Sequence, residues 1–325
     1  MDLVAIVAGC LFFSCSATYF VVYCPLVVAL HRFSKKTPTY LLFLSNAIGD
    51  MSAFAQFGSL GLLILTGWRF PGVVEPIPTR IQYLIYGVLM WSPLQFHYTP
   101  IALLRAVAVV FPTEFNQWFN QRLCAIICLA VWAFGLALQT VTAYAVPEEA
   151  LWVWDANQLG LAPVNFTVFI QSPVPTIWFS FSVIAIAVPF GAYFVGIVGV
   201  AFSKKAKQAF RDSKTEQRLV LSCVANFTLY TVAAFVSNFV SLDTQWKQLG
   251  FNLLILHCAA SNGIVLLLLA TKLRKEFLDI IFKKKAAASS TMQIQQTPRR
   301  NQQHTGRATT NRPPVAVRHN NLTQF

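Results

Sequence analysis

The stretch YLLFLSNAIGDMSAFAQFGSLGLLILTG, residues 40–67, contains a single charged side chain, Asp50. A helix crossing the hydrocarbon core of a bilayer needs roughly 20 mostly apolar residues, so this stretch is long enough to span. Six more read the same way. Residues 4–30, 81–104 and 123–146 are charge-free. The charge-free run 156–202 is too long for one helix, and Pro163, Pro173 and Pro175 break its first part, leaving a helix over about 176–202. Residues 219–242 and 248–271 complete the set. The expected fold is an all-α integral membrane protein, a seven-transmembrane helix bundle over residues 1–271.

Composition agrees. The chain has 325 residues, 56% hydrophobic and 11% charged, with a mean hydropathy of +0.56. Soluble domains carry about 25% charged and about 45–50% apolar residues. A chain this apolar could not cover a water-facing surface, which argues against a soluble enzyme, a nucleic-acid-binding module or a disordered protein. The first apolar stretch is too long for a signal-peptide core, and Asp2 stands where a basic segment would precede one, so it reads as a membrane helix.

Lys and Arg in the loops set orientation. With the N-terminus outside, every basic residue except Arg69, Arg80 and Lys247 falls on the cytosolic side, while Glu75, Glu148, Glu149, Asp155 and Asp243 lie outside. The expected topology is N-out with a cytosolic C-terminus. The net charge of +13 then serves topology and anionic lipid headgroups rather than nucleic acid. Of three Asn-x-Thr sequons, Asn165 falls in an outer loop, Asn226 in a helix and Asn321 in the cytosolic tail, so glycosylation is expected at Asn165 alone.

All seven cysteines lie in apolar stretches, so no outer disulfide is expected, and no Cys/His spacing suggests zinc. His97 and His257 read as packed, hydrogen-bonded helix residues. There is no internal repeat of the kind that marks many transporters, no phosphate-binding glycine loop and no nucleophile triad. An enzyme is not expected.

Polar residues at membrane depth are costly and face the bundle interior. Those present are Ser45-Asn46 and Asp50 in the second stretch, Arg105 at the end of the third, followed by Phe111-Pro112, then Trp132, Pro189 and Ser261-Asn262-Gly263. In this ordered set the chain resembles the rhodopsin-like G-protein-coupled receptors, over residues 1–284. Those receptors carry Leu-x-x-x-Asp in the second helix, an arginine ending the third ahead of a loop proline, a fourth-helix tryptophan and a fifth-helix proline. The departures are equally plain. Leu104-Arg105-Ala106 replaces Asp-Arg-Tyr, Asn262-Gly263 replaces the Asn-Pro pair, the sixth helix lacks its Cys-Trp-x-Pro, and the first has Cys24-Pro25. With the string from Arg105 through Phe111-Pro112 to Trp118, this drift is similar to the nematode serpentine chemoreceptors, nearest the Srg/Srv-like branch.

The resemblance implies a plasma-membrane sensory receptor for small external molecules, coupled to a heterotrimeric G protein. It implies that Arg105 and Pro112, with the basic third inner loop (Lys204, Lys205, Arg218), serve G-protein coupling, Arg105 as a switch. Its alternative role is a snorkelling anchor. The acid that would latch it is absent at Leu104, leaving Glu216 or Asp212 as stand-ins. Asp50 corresponds to a position that holds a sodium ion, the sole cofactor implied, with Asn46 on the same face and Ser261 and Asn262 opposite. The alternative is a hydrogen-bonded Asp bridging helices. Gly87 stands where amine receptors carry an aspartate. The ligand pocket is therefore expected to take a neutral or apolar molecule, lined by Tyr83, Tyr86, Gly87, Trp91, Gln95, Trp178 and Asn238, although aromatics at these levels also serve as lipid-facing belts.

Residues 272–285 read as an amphipathic membrane-surface helix, with Leu273, Phe277, Ile280 and Ile281 on one face. Residues 286–325 are polar and basic and read as a disordered cytosolic tail, with kinase targets at Ser289, Ser290, Thr291 and Thr297. Its end, Thr323-Gln-Phe325, fits a PDZ domain by strand addition. The expected function is a chemosensory G-protein-coupled receptor. The alternatives are a seven-helix transporter or channel, and a divergent receptor-like partner that requires a co-receptor.

Overall fold

A computed structural model describes residues 3–67, 84, 96–147, 152–155, 159–163, 165–203, 207–208, 214–240 and 244–294. Met1–Phe282 forms one compact unit. Of the second unit, Lys283–Phe325, the described residues 283–294 are helical.

The chain runs α1 (Leu3–Ser34), α2 (Tyr40–Thr66), α3 (Tyr98–Val110), α4 (Pro112–Trp118), α5 (Gln121–Ala145), β1 (Trp152–Asp155), β2 (Gly160–Pro163), α6 (Phe166–Gln171), α7 (Val174–Phe202), α8 (Lys214–Phe239), α9 (Gln245–Leu269) and α10 (Thr271–Ile294). Six helices, α1, α2, α5, α7, α8 and α9, are long and apolar enough to cross a membrane. A helix lets each stretch satisfy its own backbone there, because lipid offers no partner to N–H and C=O groups. Pro25 and Pro189 sit inside α1 and α7. Side chains seal several ends. Asn120 Oδ1 accepts from the Leu123 N–H at 2.9 Å, and Thr244 Oγ1 from the Lys247 N–H at 3.3 Å.

Three expectations change. The third stretch, expected over 81–104, lies partly outside the described residues, and the helix described at its end is α3. That helix does not stop at Arg105 but runs on to Val110. Ala106 to Val110 are apolar and keep the helix going, and Pro112, which lacks a backbone N–H, divides α3 from α4 as the first residue of the latter. Second, the region between α5 and α7 is not only loop. β1 and β2 pair antiparallel, Trp152 against Pro163 and Asp155 against Gly160, and α6 follows. Third, α10 continues beyond Lys285 to Ile294. Leu273 is buried and Phe277 and Ile280 pack on the core, but Ile281 is exposed.

The main packed cluster is built chiefly by α1, α2 and α9. The α1–α2 contact is close because both sides are bare of side chains at one point. A Cβ on Gly61 would lie 2.7 Å from the Gly9 carbonyl oxygen, the close approach that small residues permit between membrane helices. α3 packs on α7, and α8 on α9. Half of the apolar segment of α9 is buried against 22% for α7, so α9 is central and α7 peripheral. Phe190, Phe194 and Ile197 of α7 are exposed, an outer surface suited to an apolar solvent.

Candidate functional site

Asp50, in the middle of α2, is 1% exposed. Three neutral side chains bring donors to its carboxyl. Asn46, one turn earlier on the same helix face, donates to Oδ2 at 3.2 Å. Asn262 of α9 donates to Oδ1 at 3.1 Å and lies 3.3 Å from Oδ2. The Tyr23 hydroxyl of α1 lies 3.3 Å from Oδ2. Tyr98 of α3 extends the network by donating to Asn262 Oδ1 at 2.8 Å. One carboxyl thus ties together α1, α2, α3 and α9. Burying a polar group costs free energy unless it is hydrogen-bonded, and here each member makes at least one hydrogen bond to another, with Asn46 Oδ1 left over.

Tyr23 does more than donate. Its hydroxyl lies 2.8 Å from the Ala259 carbonyl oxygen and accepts from the Gly263 N–H at 2.8 Å. These are the two groups that an uninterrupted α-helix pairs directly, so the phenol is set into the α9 ladder. Gly263 makes room for it. A Cβ there would lie 2.6 Å from Tyr23 Cζ and 2.5 Å from Leu26 Cδ2. A proline, as in the resembling family, would have neither that space nor the N–H.

A cavity of about 20 Å³ adjoins Asp50 and is lined by Asn46, Tyr98, Asn226, Asn262 and apolar neighbours. It has room for one water or small cation. Asn46 Oδ1 and Asn226 Oδ1 are buried without a hydrogen-bond partner. These oxygens and the carboxylate suit a hard cation in kind. Among the described residues, no three His, Cys, Asp or Glu side chains come together as a metal cluster.

Of the polar residues expected at this centre, Asn46, Asp50 and Asn262 come together and Ser261 does not. Its Oγ donates to the Cys258 carbonyl at 2.8 Å, because successive helix residues point about 100° apart and only Asn262 faces Asp50. Tyr23, Tyr98 and Asn226 join without having been foreseen. Tyr98 had a legible signal, since it precedes Arg105 by two turns and so shares its face.

Arg105 departs from its expected place at the end of the helix and from the alternative role of a snorkelling anchor. It is 2% exposed, not a snorkelling boundary residue. Its Nη2 donates to Thr39 Oγ1 at 3.4 Å and its guanidinium carbon lies 5.2 Å from the Phe43 ring centroid, a cation–π arrangement. Leu104 is buried with Leu42, Ile101 and Cys223. Arg218 donates to Thr271 Oγ1 at 3.1 Å, linking α8 to the first residue of α10. Lys204, Lys205 and Asp212 lie outside the described residues, as does the side chain of Glu216. Trp132 Nε1 donates to Ser45 Oγ at 2.9 Å, and His97 Nε2 lies 2.9 Å from that same oxygen. His257 Nδ1 lies 2.7 Å from the Leu253 carbonyl oxygen.

Of the expected ligand pocket, Tyr83, Tyr86, Gly87, Trp91 and Gln95 lie outside the described residues, as does the side chain of Asn238. Trp178 packs against Val146 and Val174. Asn165 is exposed, and its Oδ1 accepts from the Val168 N–H at 3.2 Å, capping α6. Asn226 is buried in α8. No protein-family model matches the chain, and no curated protein matches it.

Proposed function

We propose that this chain is a plasma-membrane receptor of the seven-helix, G-protein-coupled kind, oriented N-out, that senses a small neutral or apolar external molecule as the nematode chemoreceptors do. The Asp50 node carries this reading. A hydrogen-bonded carboxyl shared by α1, α2, α3 and α9 is costly to bury and unnecessary for a passive bundle, since apolar packing would hold helices together as well. It is useful where helices exchange between two arrangements, because a polar network has discrete sets of partners.

In this mechanism the ligand favours one arrangement by binding it more tightly. Arg105, released from Thr39 and Phe43, then meets a G protein together with the inner basic segments around Lys204, Lys205, Pro112 and Arg218. A sodium ion beside Asp50, held by Asn46, Asn226 and the carboxylate, would supply positive charge to the inactive arrangement. No catalytic role is assigned.

The test is a screen of small molecules on cells expressing this chain with a broadly coupling G protein, read by second messenger. A saturable response absent from untransfected cells is expected. Solute uptake by the same cells with no second-messenger response to any compound would overturn the receptor reading in favour of a transporter.

A further inference from the structure

Leu159, at the turn joining β1 to β2, has a φ of 52°, alone among the described non-glycine residues in the left-handed region. That conformation crowds a side-chain Cβ and is rare for a bulky residue. Leu159 is nevertheless 0% exposed and belongs to the core cluster built by α1, α2 and α9. Its carbonyl accepts from Asn252 Nδ2 at 2.9 Å. Asn252 lies seven residues into α9, so the hairpin tip reaches roughly two turns along that helix. A two-stranded hairpin is marginal by itself in water, and this insertion ties it to the bundle through Asn252 and the core cluster.

The socket around Leu159 has the two features of a small-molecule site, an apolar enclosure and one directional polar group. It holds an isobutyl group completely and offers an amide donor to a carbonyl oxygen. We propose that this socket is a recognition site for a small uncharged molecule combining a branched aliphatic group with a carbonyl, and that Leu159 is its resident surrogate. The proposal rests on the receptor reading above and names its ligand class. Such a molecule reproduces both contacts without a left-handed backbone, so it competes with the hairpin tip and frees it.

The experiment uses the full chain in membranes. Leu159→Cys is treated with a membrane-impermeant maleimide, with and without 3-methylbutanamide, and with unsubstituted protein as the background for native cysteines. Slow labelling is expected alone, and about tenfold faster labelling with the amide at ten times its dissociation constant. Acetamide, which has the carbonyl but not the branched group, leaves the rate unchanged, and adding Asn252→Leu removes the response. Should Leu159→Cys fail to fold, hydrogen exchange of residues 160–162 in the unsubstituted protein reads the same release. Labelling and exchange indifferent to 3-methylbutanamide, or equally hastened by acetamide, overturn the proposal. Release without any second messenger leaves the socket standing and removes the receptor reading. Second-messenger responses to other compounds with an indifferent hairpin do the reverse.

Discussion

Gly263 and Tyr23 meet at a point where a single methyl group decides whether α1 can lie on α9. The tyrosine hydroxyl accepts from the Gly263 N–H and lies 2.8 Å from the Ala259 carbonyl oxygen, yet removing it does limited harm, because those two groups are i and i+4 and can pair with each other. Interhelical hydrogen bonds in membrane proteins average about 0.6 kcal/mol and reach about 1.7. Adding a methyl at Gly263 is worse, since its carbon would lie 2.6 Å from Tyr23 Cζ and overpacking costs about 1–3 kcal/mol. Thermal unfolding of purified protein should therefore rank Gly263→Ala as more destabilising than Tyr23→Phe. The reverse order would mean that the hydroxyl, not the space, holds the helices. Asp50 belongs to the same scale. Asp50→Asn keeps the shape but exchanges one acceptor for a donor, which then faces donors from Asn46 and Asn262. We expect surface expression to persist and basal or ligand-driven signalling to change; retention inside the cell would assign Asp50 to folding alone. Asp50, Asn46 and Asn262 were legible in the sequence because carboxyl and amide groups at membrane depth have few explanations. Tyr23 was not, because an aromatic in an apolar stretch reads equally well as a lipid-facing residue, and nothing local announces a partner 236 residues away.

At the scale of elements, hydrophobic length located the six long helices closely, as with α2, expected to end at Gly67 and capped by that residue at a φ of 61°. It misjudged α3, because a charge was taken to mark the membrane boundary. Arg105 is instead an interior residue of a helix that ends five residues later, accommodated by Thr39 and the face of Phe43. The hairpin between α5 and α7 was equally hidden, since β1 ends at Asp155, just before the charge-free run 156–202, and β2 lies inside that run, which hydropathy alone reads as membrane. The burial of Arg105 sharpens what lysine should do there. A boundary anchor tolerates Lys, since both side chains snorkel. A buried guanidinium laid over an aromatic ring and donating sideways to a hydroxyl does not, because an ammonium lacks the planar fork and is more strongly hydrated. Arg105→Lys should keep surface expression and ligand binding but reduce G-protein activation at equal receptor level. Full signalling by the lysine variant would leave Arg105 with a packing role only.

The molecule as a whole has a direction across the membrane, and its sequence argues for that direction through charge alone. Basic residues cluster in the segments after α1, between α7 and α8 and after α9, leaving the α5–α7 connection with Glu148, Glu149 and Asp155 but no Lys or Arg. If positive charge is held in the cytosol, the β1–β2 hairpin and α6 face outward. The sequons provide an independent measure, because glycosyl transfer occurs on the outer side only. Asn165 is exposed at the start of α6, Asn226 is buried in α8, and Asn321 lies far along the tail. A chain oriented N-out offers Asn165 and withholds the other two, one by burial and one by compartment. Inverting the bundle would exchange Asn165 for Asn321. Expressed in eukaryotic cells, the protein should show a glycosidase-sensitive mobility shift that Asn165→Gln abolishes and that Asn226→Gln and Asn321→Gln leave intact. A shift that survives Asn165→Gln and disappears with Asn321→Gln would reverse the bundle, move the Leu159 socket to the cytosol and turn the Arg105 end of α3 outward, so this measurement should precede every ligand experiment.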